Sequence, residues 1–243
     1  MKRFSLSACQ LKLLAMALML TDHLWATVVP GNMWMTYLGR MAFPIFAFQV
    51  AEGYCRTADW KAYARRLLFF ALLSEVPFDL MYISGWFFPF HQNVMFTLLL
   101  GLLGIRALDT CRTNCSVRNI LLTACKVLGV LLLGTLLMVD YSWQGVATVM
   151  LFWAARHSRF EKFLQVLFLF LLNQVFFNGH YWEFSLFGHS FMFMTQCFAL
   201  GALIPSWLYD GRKGYSARCF QLAGYAFYPL HMFLLYALPR LFS

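Results

Sequence analysis

Asp22 and His23 stand side by side within one long apolar run, and Arg40 stands within the next. Glu75 and Asp79, one helical turn apart, and His231 are set in later runs of the same kind. An imidazole titrates near neutrality and can take a proton as a general base. A carboxylate beside it can orient the ring, and a guanidinium can hold an anion or stabilise charge that develops in a transition state. The set therefore has the makings of base-assisted group transfer. A charge in the middle of a bilayer costs ~2.5–3.5 kcal/mol on insertion scales, so such residues point to a functional site by default. Plainer roles are open as well. Asp22 and Arg40 can form a buried ion pair that only locks two helices together. Glu75 and Asp79 share a helix face and can bind Arg40 or cap helix ends, and Pro77 can kink their helix.

The elements that carry these residues follow from composition. The chain has 243 residues, 61% hydrophobic and 12% charged, against about 25% charged in soluble domains. The mean hydropathy is +0.65. A membrane protein of one domain, residues 1–243, is expected. About nine runs approach the ~20 apolar residues that a spanning helix needs: 11–29, 35–54, 63–83, 94–108, 118–139, 143–155, 160–177, 190–209 and 221–241. The fold class expected is all-α, a polytopic membrane protein. Lys2-Arg3 and the first run are too long and too polar at Asp22-His23 for a cleaved signal, so the run is read as a retained helix.

The net charge of +9 comes from basic residues in alternate loops, with 17 of 19 on one side. That distribution is an orientation signal, not a nucleic-acid surface, and it puts the N-terminus in the cytoplasm and the C-terminus outside. At a rise of ~1.5 Å per residue, Asp22, His23, Arg40, Glu75, Asp79 and His231 share the middle-to-outer half of the bilayer. They are expected to face one polar interior. The outer loops are aromatic: Trp86-Phe87-Phe88-Pro89-Phe90, Tyr141-Ser142-Trp143 and Tyr181-Trp182-Glu183-Phe184. An interfacial belt is the first explanation and an acceptor vestibule the second.

On the inner side Glu52 and Arg56 are spaced as a snorkelling i,i+4 pair. The dense loop Arg56, Lys61, Arg65 and Arg66 satisfies topology, and basic side chains there can also recognise phosphates. The seven cysteines give no disulfide framework, and His180, Glu183 and His189 lack helical metal-site spacing. No metal is expected.

Several motifs together resemble the TraX family of membrane proteins, named for F-pilin acetylation. They are Asp22-His23; Gly39-Arg40-x-Ala42-Phe43-Pro44-x-Phe46-x-Phe48 with Glu52-Gly53; Ser74-Glu75-x-Pro77-Phe78-Asp79; Asn93-Val94-x-Phe96-Thr97-Leu98; Asp140-Tyr141; Asp210-Gly211-Arg212-Lys213-Gly214; and Tyr228-Pro229-Leu230-His231. The resemblance runs nearly end to end, and its order and spacing are what make it specific. It implies a multi-pass protein of the bacterial inner membrane. It also implies acetyl transfer from cytoplasmic acetyl-CoA to an acceptor such as a pilin N-terminus or a small molecule. More distantly the chain looks like the multi-span acyltransferases that acetylate sugars, where a membrane histidine is implicated. That role carries over to His23 and, second, to His231. Arg56, Arg65, Arg66, Arg212 and Lys213 are then the residues expected to hold the CoA phosphates.

Two other classes compete. Buried Asp, Glu, His and Arg also suit a proton-coupled transporter, although no internal repeat of spans is visible. A non-catalytic pilus or secretion assembly factor leaves the buried histidines unexplained. The charge distribution makes a direct prediction: a reporter fused after the last residue reads out on the outer face, and a cytoplasmic readout contradicts the topology.

Overall fold

The computed structural model describes residues 4–156, 158–177, 179–186, 188–215 and 217–241. Lys2 and Arg3, counted above among the inner basic residues, lie outside the described residues. The chain divides into two compact units: Met1–Phe46 with Arg159–Ser216, and Ala47–Ser158 with Ala217–Ser243. The division falls within one helix, α3 (Ala42–Arg56).

In the first unit, α1 (Ala8–Thr27) begins at Ser7, whose hydroxyl and backbone close a capping box with Gln10. It packs against α2 (Met33–Gly39) across the Pro30-Gly31 turn, where Gly31 takes a φ of 95°. The run expected as one helix over 35–54 is interrupted at Arg40–Met41, between α2 and α3. Later in this unit α8 (Glu161–Leu171) runs into a π turn at Leu172–Phe176. The π turn brings Gln174 to the next element: its amide donates to the Met192 carbonyl at 2.8 Å, and its oxygen accepts from Met194 N at 3.1 Å. That element is an antiparallel hairpin, β1 (Tyr181–Leu186) and β2 (His189–Met194), with Trp182 opposite Phe193 and Phe184 opposite Phe191.

The hairpin corrects the expected eighth span. Residues 190–209 are not one helix. They comprise β2, a 3₁₀ segment at Thr195–Ala202 and the short α9 (Leu203–Trp207). Aromatic pairs across the two strands explain the preference, since alternating large side chains suit a strand face. The N-terminal segment closes against the turn after α9. Leu6 N donates to Leu208 O at 2.8 Å, Asp210 N to Leu6 O at 3.1 Å, and Ala8 N to Arg212 O at 2.9 Å.

The second unit is a helical assembly. Here α4 (Trp60–Ile83) packs on α5 (Val94–Thr113) and on α10 (Arg218–Leu241), and α5, α6 (Val117–Leu136) and α7 (Ser142–Ala155) pack on one another. Small residues set the approach of α5 to α7: a Cβ on Gly101 would overlap Val149, and one on Gly104 would overlap Met150. Close approach through glycine is a common way for membrane helices to gain packing contacts. Asn93 caps α5, its oxygen accepting from Met95 N at 3.0 Å.

The expected all-helical class holds apart from the single hairpin. Among the described residues two helices, α5 and α6, are long and apolar enough to cross a membrane. Elements such as α3, with 15 residues, and α7, with 14, are shorter than the ~20 residues of a full span.

Asn93 makes a test of how this unit is held. Asn93→Ala removes a helix cap and leaves the Ala71 carbonyl and the Glu75 carboxylate short of a donor. A loss of about 2 kcal/mol or more is expected, measured by unfolding in detergent. A variant as stable as the parent contradicts this assignment.

Candidate active site

The first unit brings Asp22 against α2. A Cβ on Gly39 would lie 2.6 Å from the Asp22 carboxyl carbon, so glycine is what lets the α2 backbone come this close. Arg40, next in sequence, acts on Asp22 electrostatically. The Thr36 hydroxyl, one turn earlier on α2, turns toward the Asp22 carboxylate without reaching hydrogen-bond geometry. His23 is 8% exposed, and its carbonyl accepts from the Thr27 hydroxyl at 2.6 Å. Asp22 Oδ1, Thr36 Oγ1 and Trp25 Nε1 are all buried without a hydrogen-bond partner.

Beside this hairpin lies an aromatic group of the same unit. Tyr37 stacks on Phe198 with ring centroids 4.7 Å apart and accepts a hydrogen bond from Trp182 Nε1 at 3.0 Å. The aromatic segment at 181–184 therefore has a specific contact with α2 besides its exposed surface, where Tyr181 and Phe184 are about half exposed.

The second unit holds Glu75, Asp79 and His231. Glu75 Oε1 accepts from Asn93 N at 2.9 Å and from the Asn93 side-chain amide, which also donates to Ala71 O at 2.8 Å. Asp79 is 1% exposed. Its Oδ2 accepts from Phe88 N at 2.7 Å, and its Oδ1 is buried without a partner. Both carboxylates thus hold backbone at the α4–α5 connection and the start of α5, close to the capping role that is one of the readings above. His91 lies in the same connection, edge-on to Phe78, with Nε2 4.0 Å from Asp140 Oδ1. A bridge from Gln92 to Val139 ties this segment to the one preceding α7.

His231 is 4% exposed on α10. Its Nδ1 lies 2.7 Å from the Phe227 carbonyl, and its ring stacks on Phe227 with centroids 4.6 Å apart. A carbonyl accepts only from an N–H, so Nδ1 carries the proton, and in a neutral ring Nε2 keeps the lone pair. His231 therefore has a ring nitrogen able to take a proton.

The basic residues expected to hold phosphates have partners within the fold. Arg56 Nε lies 3.2 Å from Glu52 Oε2, and Glu52 also accepts from Arg156, a partner the sequence did not signal. Arg65 is exposed and 4.0 Å from Asp59. Arg66 lies over the Tyr63 ring at 5.6 Å. Arg212 pairs with Asp210 at 2.6 Å, and the Arg212 N–H and the Ser5 hydroxyl both donate to that carboxylate and hold it below its ordinary range. Lys213 contributes its carbonyl to Cys9 N at 3.1 Å. Among the described residues no group of three or more His, Cys, Asp or Glu is arranged to hold a metal ion.

Sequence reasoning singled out Asp22, His23, Arg40, Glu75, Asp79 and His231 but gave no role to Thr36, Trp25, Asn93 or Arg156. Asn93 had a readable signal, an asparagine directly before an apolar helix. Thr36 and Trp25 acquire meaning only from their unpartnered atoms.

A family profile described as "TraX protein" matches residues 7–239. Among curated proteins the chain is similar to one from Dichelobacter nodosus named "Probable fimbrial assembly protein FimC, serogroup H1". The two are 29% identical over 121 residues, covering 43% of this chain and 47% of that protein. The chain thus matches about half the length of this relative. No solved structure matches.

His91 supports a pH test. Burial holds its pKa below the ordinary 6.5, against the opposing pull of Asp79. A base with a lower pKa folded than unfolded gives its full stability above 6.5 and loses it as the pH falls toward the folded value. Lowering the pH from about 7.5 to about 5 should lower the melting temperature, and His91→Gln should flatten part of that fall. An identical pH dependence in the variant contradicts the assignment.

Proposed function

Because the chain belongs to the TraX family, we propose that it is a membrane-embedded acetyltransferase with a pilus-related role. It moves an acetyl group from cytoplasmic acetyl-CoA to an amine or hydroxyl of an acceptor, a pilin N-terminus or a small molecule. His23 is the base, Asp22 orients it, and Arg40 anchors the acceptor or stabilises charge. In this reading the chain is a multi-pass protein of the inner membrane with the N-terminus inside and the C-terminus outside, and residues 190–209 do not count as one of its spanning helices. Exposed leucines along α6, among them Leu121, Leu128, Leu132 and Leu136, support a lipid-facing surface.

The observation that carries the chemistry is the α1–α2 hairpin. His23 is buried and follows in sequence Asp22, whose Oδ1 is buried without a hydrogen-bond partner. Asp79 of the second unit also keeps a buried oxygen without a partner; what distinguishes the α1–α2 hairpin is that three such atoms, Asp22 Oδ1, Trp25 Nε1 and Thr36 Oγ1, fall on two packed helices. The relative named as a fimbrial assembly protein supports the pilus-related part. It also supports the second reading, an assembly factor without catalysis. The proton-coupled transporter remains the competitor in which these same groups carry protons.

Acetyl transfer needs the nucleophile deprotonated, the oxyanion stabilised and the thioester held. Arg65 and Arg66, with Arg56, Arg212 and Lys213, hold the CoA phosphates in this account. Arg65 is the most available of those described, being exposed and only distantly paired. Its neutralisation together with Arg66 should weaken acetyl-CoA binding in calorimetry without loss of folding.

The decisive variant is His23→Ala. It should lose ~100- to 10,000-fold in transfer rate while keeping expression and acetyl-CoA binding. His231→Ala is the comparison. Near-normal turnover in the first with none in the second assigns the base to α10 instead.

A further inference from the structure

Three polar atoms of the α1–α2 hairpin are buried with no partner: Asp22 Oδ1, Trp25 Nε1 and Thr36 Oγ1. A buried polar atom left without a hydrogen bond is destabilising, so few persist in native proteins without a reason. Their chemistry is complementary. The Trp25 indole N–H can only donate, the ionised Asp22 oxygen can only accept, and the Thr36 hydroxyl can do either. Thr36 is 2% exposed.

Their placement follows from the two helices. Trp25 is one turn beyond Asp22 on α1, at i,i+3 spacing, which puts both on one side of the helix. Thr36 and Gly39 have the same spacing on α2. Asp22 is fixed against Gly39 and faced by Thr36. The turn at Pro30-Gly31 reverses the chain, so with Asp22 against Gly39, Thr36 on α2 comes level with Trp25 on α1. The donors therefore lie toward the tip of the hairpin, and the acceptor lies one turn deeper on α1, against Gly39.

We propose that Trp25 Nε1–H and Thr36 Oγ–H form the oxyanion site for the transferred acyl carbonyl, and that Asp22 Oδ1 accepts from the N–H that an amine nucleophile keeps when His23 takes its other proton. This assignment rests on the acetyl-transfer reading above and names the residues that stabilise its transition state. The nucleophile's lone pair attacks the acetyl carbon and forms the new C–N or C–O bond. The carbonyl π pair moves to oxygen, where the indole N–H and the threonine hydroxyl meet it. His23 takes the nucleophile's proton. Collapse re-forms the carbonyl and breaks the C–S bond, and the CoA thiolate leaves with the proton that His23 returns. Donors aimed at the oxyanion are worth most in a site that excludes water.

The test combines kinetics with infrared spectroscopy on the full-length protein. Acetyl-CoA labelled with ¹³C at the carbonyl is bound without acceptor. Its thioester C=O stretch should fall below that of free acetyl-CoA, and the fall should shrink in Trp25→Phe and in Thr36→Val. In turnover, each variant should lose ~100- to 1,000-fold in kcat with little change in KM for acetyl-CoA. Thr36→Ser, which keeps the hydroxyl, should recover most of the rate. An unshifted stretch in the unmutated protein overturns the proposal however the variants behave, and so does normal kcat in folded Trp25→Phe and Thr36→Val. A shifted stretch with no transfer to any acceptor supports the carbonyl site while sinking the transferase reading. Absence of acetyl-CoA binding sinks both.

Discussion

The structure depends on how buried polar groups find partners in a chain with few charges. In an apolar environment each polar atom is satisfied internally or left at a cost. Glu75 shows the first outcome. Its carboxylate takes both the backbone and the side-chain N–H of Asn93, and Asn93 in turn caps α5 and ties back to Ala71. A single asparagine thus joins the end of one connection to the middle of α4. Glu52 behaves alike, shared between Arg56 and Arg156. The α1–α2 hairpin shows the second outcome. Asp22 is wedged against Gly39 with an oxygen unused, and Trp25 and Thr36 have unused donors nearby. The contrast separates residues that hold the fold from residues with chemistry in reserve.

Much of this was legible in the sequence. Apolar runs broken by Asn93, Ser116 and Asp59 mark helix starts, and each of these residues caps a helix in the structure. The Glu52–Arg56 spacing gave its ion pair directly. The break at Arg40–Met41 was less readable, because Gly39 and Pro44 sit in a strongly apolar context that hydropathy scores as continuous. The hairpin at 181–194 was hidden for a related reason. Its strands are rich in phenylalanine, methionine and tryptophan, which count toward a spanning helix as readily as toward a strand face. Arg156 could not be read as a partner of Glu52, since the contact spans 104 residues of sequence. The two buried histidines were found by type alone. The sequence put His23 first, for its place after Asp22, and His231 second; the structure adds a fixed tautomer at His231 and an unpartnered oxygen on Asp22.

The chain belongs to the TraX family, and the unpartnered polar atoms of the α1–α2 hairpin are what support the proposal of a catalytic role. An assembly factor would have no need of a base next to Asp22 in sequence. On this account the first unit carries the reacting groups, and the Glu75–Asn93 and His91–Asp140 contacts of the second serve to hold the α4–α5 connection.

The central claim is acetyl transfer, and it is tested most directly by mass spectrometry of pilin and of extracted small molecules from cells with and without this gene. The account requires a product heavier by one acetyl group that is present with the gene, absent without it and labelled when the cells' acetyl-CoA is isotopically labelled. Identical acetylation in the two strains, with the protein expressed in the membrane, contradicts it.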